Sequence, residues 1–581
     1  MGSSDAAGSA AARIDPQVHA AVARATASLS PVSIALPLID WIMHLVSSPG
    51  KRLDLASLAV TQAEQLARYA REALLAPGAE LRPCVEPQPG DRRFDGAEWN
   101  AFPFNVAQQS YRLAEQWWQQ ATQGVWGMSA HHQDIVAFSA HQLLSFQSPE
   151  NYLASNPVAL RRTLAEGGAN LARGLLNLLD DVRRATSGEP PAGAENFVVG
   201  RDVGVTAGKV VYRNHLVELI QYAPATPRVK AEPILIVPAW IMKYYILDLS
   251  PHNSLVRHLV EQGHTVFCIS WKNPGAAERG VGMDDYLRHG VYDTLAAVNA
   301  IVPGRKVHAA GYCLGGTLLS IAAAAMARDG DDRLASLTLL AAQTDFSEPG
   351  ELGLFIDESA VSLLAAQMAH TGYLTAAQMA AAFQLLRSYE LIWARLMRDY
   401  VLGDRLPLND LMAWNADATR MPALMHSQYL RRLYLDNDLA RGRYQVDGAP
   451  VLLNRIRAPL FCVGTLTDHV APWKSVYKIH ALTVGEVTFA LTSGGHNAGI
   501  VSEPGRKHRH YRVLTRAAGA TTLSAEAWEQ AAPRKEGSWW PEWIAWLDAR
   551  SSGESEPPRI GAPEQGFAVL GDAPGTYVME R

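Results

Sequence analysis

Apolar residues recur at three- and four-residue steps through the stretch from Trp41 to Arg184, as in Tyr111-Arg-Leu-Ala-Glu-Gln-Trp-Trp118. That spacing lays one apolar stripe along a helix. Strand-like alternation is hard to find there, so residues 31–195 are expected to form an all-α domain. The preceding residues 1–30, rich in Ala, Ser and Gly, are expected to be a flexible segment. Ser187-Gly-Glu-Pro-Pro-Ala-Gly-Ala-Glu195 has the turn-rich composition of a linker. Beyond it the period changes. Residues 203–224 form a hairpin-like pair of β-rich runs. Short apolar runs then follow at Ile234–Trp240, His264–Trp271, Lys306–Cys313, 334–343, 458–465 and 486–492, with helical runs between several of them. Strands alternating with helices predict a mostly parallel sheet covered on both faces, placing an α/β domain at 196–581. Between 347 and 452 the alternation gives way to a largely helical stretch. This reads as an insertion between two strands, of the kind that lids a site at the strands' C-terminal ends.

Length agrees with two domains, since 581 residues exceed what one core usually supports. Formal net charge is −5, with 48% hydrophobic and 19% charged residues. That suits a globular enzyme and gives no basic footprint for nucleic acid. The four cysteines, Cys84, Cys268, Cys313 and Cys462, are far apart and lack metal-ligand spacing. Reduced thiols in a cytoplasmic protein are expected, with neither a disulfide framework nor a metal site. No secretory signal is recognisable. The apolar run Val32–Val46 is interrupted by Pro37, Asp40 and His44, so no transmembrane segment is expected.

The strongest chemical signal is Gly311-Tyr-Cys313-Leu-Gly315. It is a G-x-S-x-G nucleophile elbow with cysteine in place of serine, set between a β-run and a helix. The tight turn lifts the sulfur above the sheet edge and aims the Leu314 amide at a developing oxyanion. Such an elbow calls for an acid and then a histidine downstream. Asp468 follows the strand ending at Thr465, and His496 follows the strand ending at Thr492, in a loop opened by Gly494 and Gly495. His496 is expected to take the thiol proton, and Asp468 to orient the imidazole. The Trp240 and Ile241 amides, in the loop after Val237, are the expected second side of the oxyanion hole. His469 is a candidate substrate contact or rival base. Cys268 and Cys462 lie inside apolar strands and read as structural. The pairs Trp117-Trp118 and Trp539-Trp540 read as core or interface anchors. The fold class is therefore an α/β-hydrolase fold with a helical lid, preceded by an all-α domain.

These residues resemble the polyhydroxyalkanoate synthase family, and the resemblance covers roughly residues 90–550. Its lipase-like box is matched by Gly311-Tyr-Cys-Leu-Gly-Gly-Thr317. Lys243-Tyr-Tyr-Ile-Leu-Asp-Leu249, Ser270-Trp-Lys-Asn-Pro274, Trp414-Asn-Ala-Asp-Ala-Thr419, Asp468-His-Val-Ala-Pro472, Gly495-His-Asn-Ala-Gly499 and Gly537-Ser-Trp-Trp-Pro541 are similar to further blocks. In the helical domain, Trp99-Asn-Ala-Phe-Pro-Phe104 and Asn151-Tyr-Leu-Ala-Ser-Asn-Pro157 are similar too. The resemblance implies an acyltransferase that turns (R)-3-hydroxyacyl-CoA into polyester through acyl-cysteine intermediates, releasing CoA. No cofactor is implied, since CoA is part of the substrate. It further implies a cytoplasmic homodimer on the surface of polyester granules, beside granule-associated proteins and the growing chain. The GYCLGG box looks like class I, which favours short-chain monomers. Whether Asp468 or His496 activates the 3-hydroxyl stays open. Met242 and Ser388-Tyr389 depart from the family pattern and bear on lid packing. The rival readings are a thioesterase, lipase or depolymerase of the same fold, which normally carries serine at the elbow, and a non-catalytic granule-associated homologue.

Overall fold

The computed structural model describes residues 10–26, 29–76, 79, 81–87, 91–386 and 392–581. Ser388 and Tyr389 lie outside the described residues. The chain divides into two compact units: residues 29–192 with 381–407, and residues 193–380 and 408–581 with the N-terminal stretch up to 28.

Within that stretch, where a flexible segment is expected, residues Ala10–Ala25 form helix α1. Alanine has the highest helix propensity, and this run is built largely of it. The helical unit contains α2 (Pro31–Val46), α3 (Pro49–Leu75), α4 (Phe104–Thr122), α5 (Ala130–Gln147), α6 (Pro157–Ala165) and α7 (Ala169–Ser187). Side chains set several of the starts: Ser129 caps α5 through the His132 amide and Asn156 caps α6 through the Ala159 amide. A satellite core of Phe94, Trp99 and Tyr111 holds part of the unit together. Trp117 donates to the Leu55 carbonyl at 3.1 Å, and Trp118 packs on Trp41. Residues 381–407 join this unit although they fall inside the expected insertion. Arg405 bridges Asp180 and Asp181 of α7, and Asn177 of α7 donates to the Asp399 carbonyl. Gly174 permits the approach, because a Cβ there would lie 1.8 Å from the Tyr400 carbonyl oxygen.

The second unit is built on one eleven-stranded sheet. Its strands are β1 (Gly208–Arg213), β2 (Val217–Tyr222), β3 (Ile234–Val237), β4 (Val266–Trp271), β5 (Val307–Tyr312), β6 (Leu334–Leu340), β7 (Leu460–Thr465), β8 (Val487–Thr492), β9 (His510–Arg516), β10 (Arg534–Glu536) and β11 (Gly571–Asp572). The order is β10-β9-β8-β7-β6-β5-β3-β4-β2-β1-β11. The six central strands, β4, β3, β5, β6, β7 and β8, run parallel. The flanking pairs are antiparallel. The sheet is thus mixed, and the expected parallel character belongs to its centre. There β3, β4, β5, β7 and β8 are buried along their whole length, so they read as unbroken apolar runs.

Between β6 and β7 the chain leaves the sheet for the helical insertion, which includes α11 (Glu358–Thr371) and α12 (Ala423–Tyr429). Helices α8 (Leu255–Glu261), α9 (Asp293–Ile301) and α10 (Leu314–Asp329) come before it. Helix α1 packs against α11. Helix α10 begins at Leu314, directly after the elbow.

Gly315 permits the elbow to sit against the end of β3. A Cβ there would fall 2.1 Å from the Val237 carbonyl oxygen and 2.5 Å from that of Pro238. Both obstacles are backbone, so nothing can swing aside. Gly315→Ala is expected to destabilise the chain by about 3 kcal/mol and to abolish activity. Thermal unfolding and, on the same sample, the CoA release that the family resemblance implies check this.

Candidate active site

Strand β5 delivers Cys313 at φ 53°, ψ −125°, a conformation costly for a residue with a side chain. The strain is held from both sides. The Cys313 amide donates to the Leu340 carbonyl at 2.8 Å, and the Cys313 carbonyl accepts from the Gly316 amide at 2.9 Å. Cys313 is buried, 7% exposed, over the N-terminus of the 16-residue helix α10. That end carries unspent N–H groups and a positive field. Among the described residues, the amides of Leu314, Trp240 and Ile241 donate to no protein acceptor. The indole N–H of Trp240 is buried and likewise without an acceptor.

Asp468 and His496 arrive from the ends of β7 and β8, two strands that pair in register from Leu460↔Val487 to Thr465↔Thr492. His496 Nδ1 lies 2.7 Å from Asp468 Oδ2. That oxygen also accepts from the Thr465 hydroxyl at 2.8 Å, while Oδ1 accepts from the Val470 and Ala471 amides at 2.9 and 2.8 Å. Burial alone would raise the Asp468 pKa, yet the His496 charge and these donors hold it below the usual carboxylate range. Burial alone would lower that of His496, yet Asp468 and the nearby Cys313 sulfur hold it well above the usual imidazole value. His496 Nε2 is buried and spends no hydrogen bond on a described residue. Catalytic contacts are often long before substrate binds. Tyr312 stacks on the His496 ring and donates to Asn497 Oδ1 at 2.5 Å.

The fold therefore gathers Cys313, His496 and Asp468 at the C-terminal edge of the parallel strands, with the contact between His496 and Asp468 formed. His469 is half-buried beside Asp468, and its carbonyl accepts from the Glu351 amide at 3.4 Å, at the base of the insertion. Met242 is partly buried against the core. Cys268 and Cys462 are fully buried in β4 and β7, where burial pushes both thiols up, as for inert structural cysteines. Among the described residues no group of three or more His, Cys, Asp or Glu is arranged to hold a metal.

Two comparisons decide what kind of chain this is. A family model described as the poly-beta-hydroxybutyrate polymerase (PhaC) N-terminus matches residues 90–259, and one for the polymerase N terminal matches 9–51. The chain is 42% identical over 508 residues to the poly(3-hydroxyalkanoate) polymerase of Methylorubrum extorquens, covering 86% of this chain and 82% of that one. The chain belongs to the poly(3-hydroxyalkanoate) polymerase family. Polymerase subunits PhaC of Rhizobium meliloti (strain 1021) and Cupriavidus necator are each 37% identical, covering 85% and 84% of this chain and 80% and 83% of theirs. The alpha/beta hydrolase fold model matches residues 232–503 of this polymerase-family chain.

In the sequence the tryptophans of the C-terminal block read only as anchors. Here they grip the histidine loop. In and just before helix α13 (Trp540–Asp548), Trp539 Nε1 donates to the Gly499 carbonyl at 3.0 Å and Trp540 Nε1 to the Ile500 carbonyl at 2.9 Å. Both indoles are fully buried. Trp540→Phe keeps most of the packing and leaves the Ile500 carbonyl unpaired. It should cost about 1–3 kcal/mol and lower turnover through a looser His496 loop. Chemical denaturation and steady-state CoA release measure the two effects.

Proposed function

We propose that the chain polymerises (R)-3-hydroxyacyl groups from their CoA thioesters, with Cys313 as nucleophile, His496 as proton carrier and Asp468 as the group that orients it. The Asp468–His496 contact beneath a cysteine elbow, in a chain of this family, is the observation that carries the reading. In loading, Cys313 gives its proton to His496 Nε2 and the thiolate attacks the thioester carbonyl. The carbon–sulfur bond to CoA breaks, and CoA leaves with that proton. One thioester replaces another, so the acyl group stays activated. In extension, the 3-hydroxyl of an incoming hydroxyacyl-CoA loses its proton to His496 Nε2. Its oxygen bonds to the acyl-cysteine carbonyl, and the Cys313 thiolate departs. The lengthened chain then returns from CoA to Cys313, releasing CoA. Each monomer yields one ester and one CoA.

The base for the 3-hydroxyl is His496. Both oxygens of Asp468 are occupied by four hydrogen bonds and its side chain is fully buried, whereas His496 Nε2 is unspent. The helical insertion keeps water from the acyl-cysteine, so removing it should raise hydrolysis relative to polymer. Attachment to a polyester granule and a homodimeric form belong to the same reading. An apolar stripe on α2, formed by Val32, Leu36, Ile39, Met43 and Val46, each at least 50% exposed, supports attachment. No single described helix is long and apolar enough to cross a membrane.

The test is incubation with (R)-3-hydroxybutyryl-CoA, following CoA and insoluble polymer together. Joint appearance supports polymerisation. CoA with free hydroxy acid replaces it with a thioesterase. No release from this or longer thioesters leaves a non-catalytic granule protein.

A further inference from the structure

Two tyrosines at the end of the insertion pack on the loops that border the elbow, and the triad gives them no task. Tyr429 closes α12, and Tyr434 lies in the wide helical turn Leu430–Leu435 that follows. In that turn the backbone bonds across five residues, as from the Asp436 amide to the Arg431 carbonyl at 2.9 Å. A five-residue step sets side chains five apart near one another, which a regular helix does not do, and such turns recur at functional sites. The result is a hydroxyl pair: Tyr429 donates to the Tyr434 oxygen at 3.1 Å.

The pair spans the two loops that flank the elbow. Tyr429 packs edge-on against Trp240, in the loop after β3, with ring centroids 6.2 Å apart. Tyr434 packs against Phe346, beyond the end of β6, at 4.9 Å. Both hydroxyls lie within electrostatic reach of the Cys313 sulfur. Since Tyr429 supplies the hydrogen between them, Tyr434 keeps its own hydrogen for a third atom. Accepting one hydrogen bond also strengthens the one it gives. Burial pushes both phenols above their ordinary value, so they stay protonated and act as donors rather than bases.

The substrate supplies two oxygens near the sulfur. The carbonyl oxygen is served by the backbone amides at the elbow. The C3 oxygen has no other donor named in the site. We propose that Tyr434, braced by Tyr429, donates a hydrogen bond to the C3 oxygen of the attacking 3-hydroxyacyl group, turning its proton toward His496 Nε2. One lone pair of that oxygen then accepts from Tyr434 and another attacks the acyl-cysteine carbonyl. The donor steadies the negative charge that develops as the proton leaves for His496. This role rests on the polymerase reading above.

The test separates loading from extension. Butyryl-CoA has no C3 oxygen and reports loading alone, as a single-turnover burst of CoA. (R)-3-hydroxybutyryl-CoA reports loading and extension, as steady CoA release with polymer. In Tyr434→Phe the butyryl burst should stay within about twofold of the unsubstituted chain, while polymer formation falls roughly 100-fold, the scale of one lost donor to a developing oxyanion. Tyr429→Phe should lose about tenfold in extension, and the double variant should be no worse than Tyr434→Phe alone, because the two act as a unit. The retained burst shows that the variant folds and keeps its nucleophile. Equal losses in both assays, or none in either, would overturn the role of Tyr434. An unsubstituted chain that releases CoA from neither thioester would instead sink the polymerase reading.

Discussion

Cys313→Ala should lose CoA release by roughly 10⁴- to 10⁶-fold, because covalent capture has no substitute in the site. The amides at the elbow remain, so the variant should still bind the thioester. A calorimetric titration with intact acyl-CoA should therefore give an unchanged affinity beside a vanished burst. Cys313→Ser is the sharper companion. Its hydroxyl is far less acidic than a thiol, so loading slows. The oxygen ester it forms has also lost the activation that a thioester passes forward, so extension slows again. Any burst surviving in Cys313→Ala at more than about 1% of the unsubstituted rate would mean that the chemistry runs elsewhere.

Asp468→Asn should cost about 10⁴-fold in CoA release with little change in substrate binding. The amide can accept on one side only, and its NH2 group meets donors on the other. The Val470 and Ala471 amides, the Thr465 hydroxyl and the His496 Nδ1–H then compete for too few lone pairs. The imidazole is left in the wrong tautomer or the wrong orientation. The same variant carries a signature in pH. The depressed Asp468 carboxyl stabilises the fold above about pH 3.9, its ordinary value, and that contribution fades as pH falls through the lower folded value. The raised His496 stabilises the fold below about pH 6.5, its ordinary value, and that contribution fades as pH rises through the higher folded value. Together they act in full between those limits. Thermal unfolding across pH should show a plateau there in the unsubstituted chain and a flatter profile in Asp468→Asn. In that variant His496 should also titrate at lower pH by imidazole NMR.

The contact between Asp468 and His496 was legible because its signals are local. An elbow motif names the nucleophile, and an acid and a histidine each fall just past a buried strand. The strands were legible for a similar reason, since six short apolar runs carry the centre of the sheet. What stayed hidden depends on distance. Nothing near Trp539 and Trp540 says that they hold the loop some forty residues earlier. Nothing around Tyr434 marks it, because its partner is five residues away and only a widened turn makes five residues a neighbour spacing. The attachment of residues 381–407 to the helical unit was invisible as well. It turns on Arg405 finding two aspartates on α7, and on a glycine at 174 that looks like any other helical position. The helix over Ala10–Ala25 was masked by the Ser and Gly before it.

The two rims of the large sheet bear on how copies of this chain behave when they are crowded together. An open sheet ends in rows of unpaired N–H and C=O groups, which invite further strands. On one rim β11 covers part of β1, pairing Asp572 with Lys209 and Gly571 with Val210. On the other, the last strand is only Arg534-Lys-Glu536, short, charged and exposed. Neither rim offers a long apolar template. Copies crowded at high local density are thus kept from stacking into fibrils of their own, and aggregation resistance is built into the segment 571–581 as much as into surface charge. Trimming those residues would turn β1 into a sticky flank.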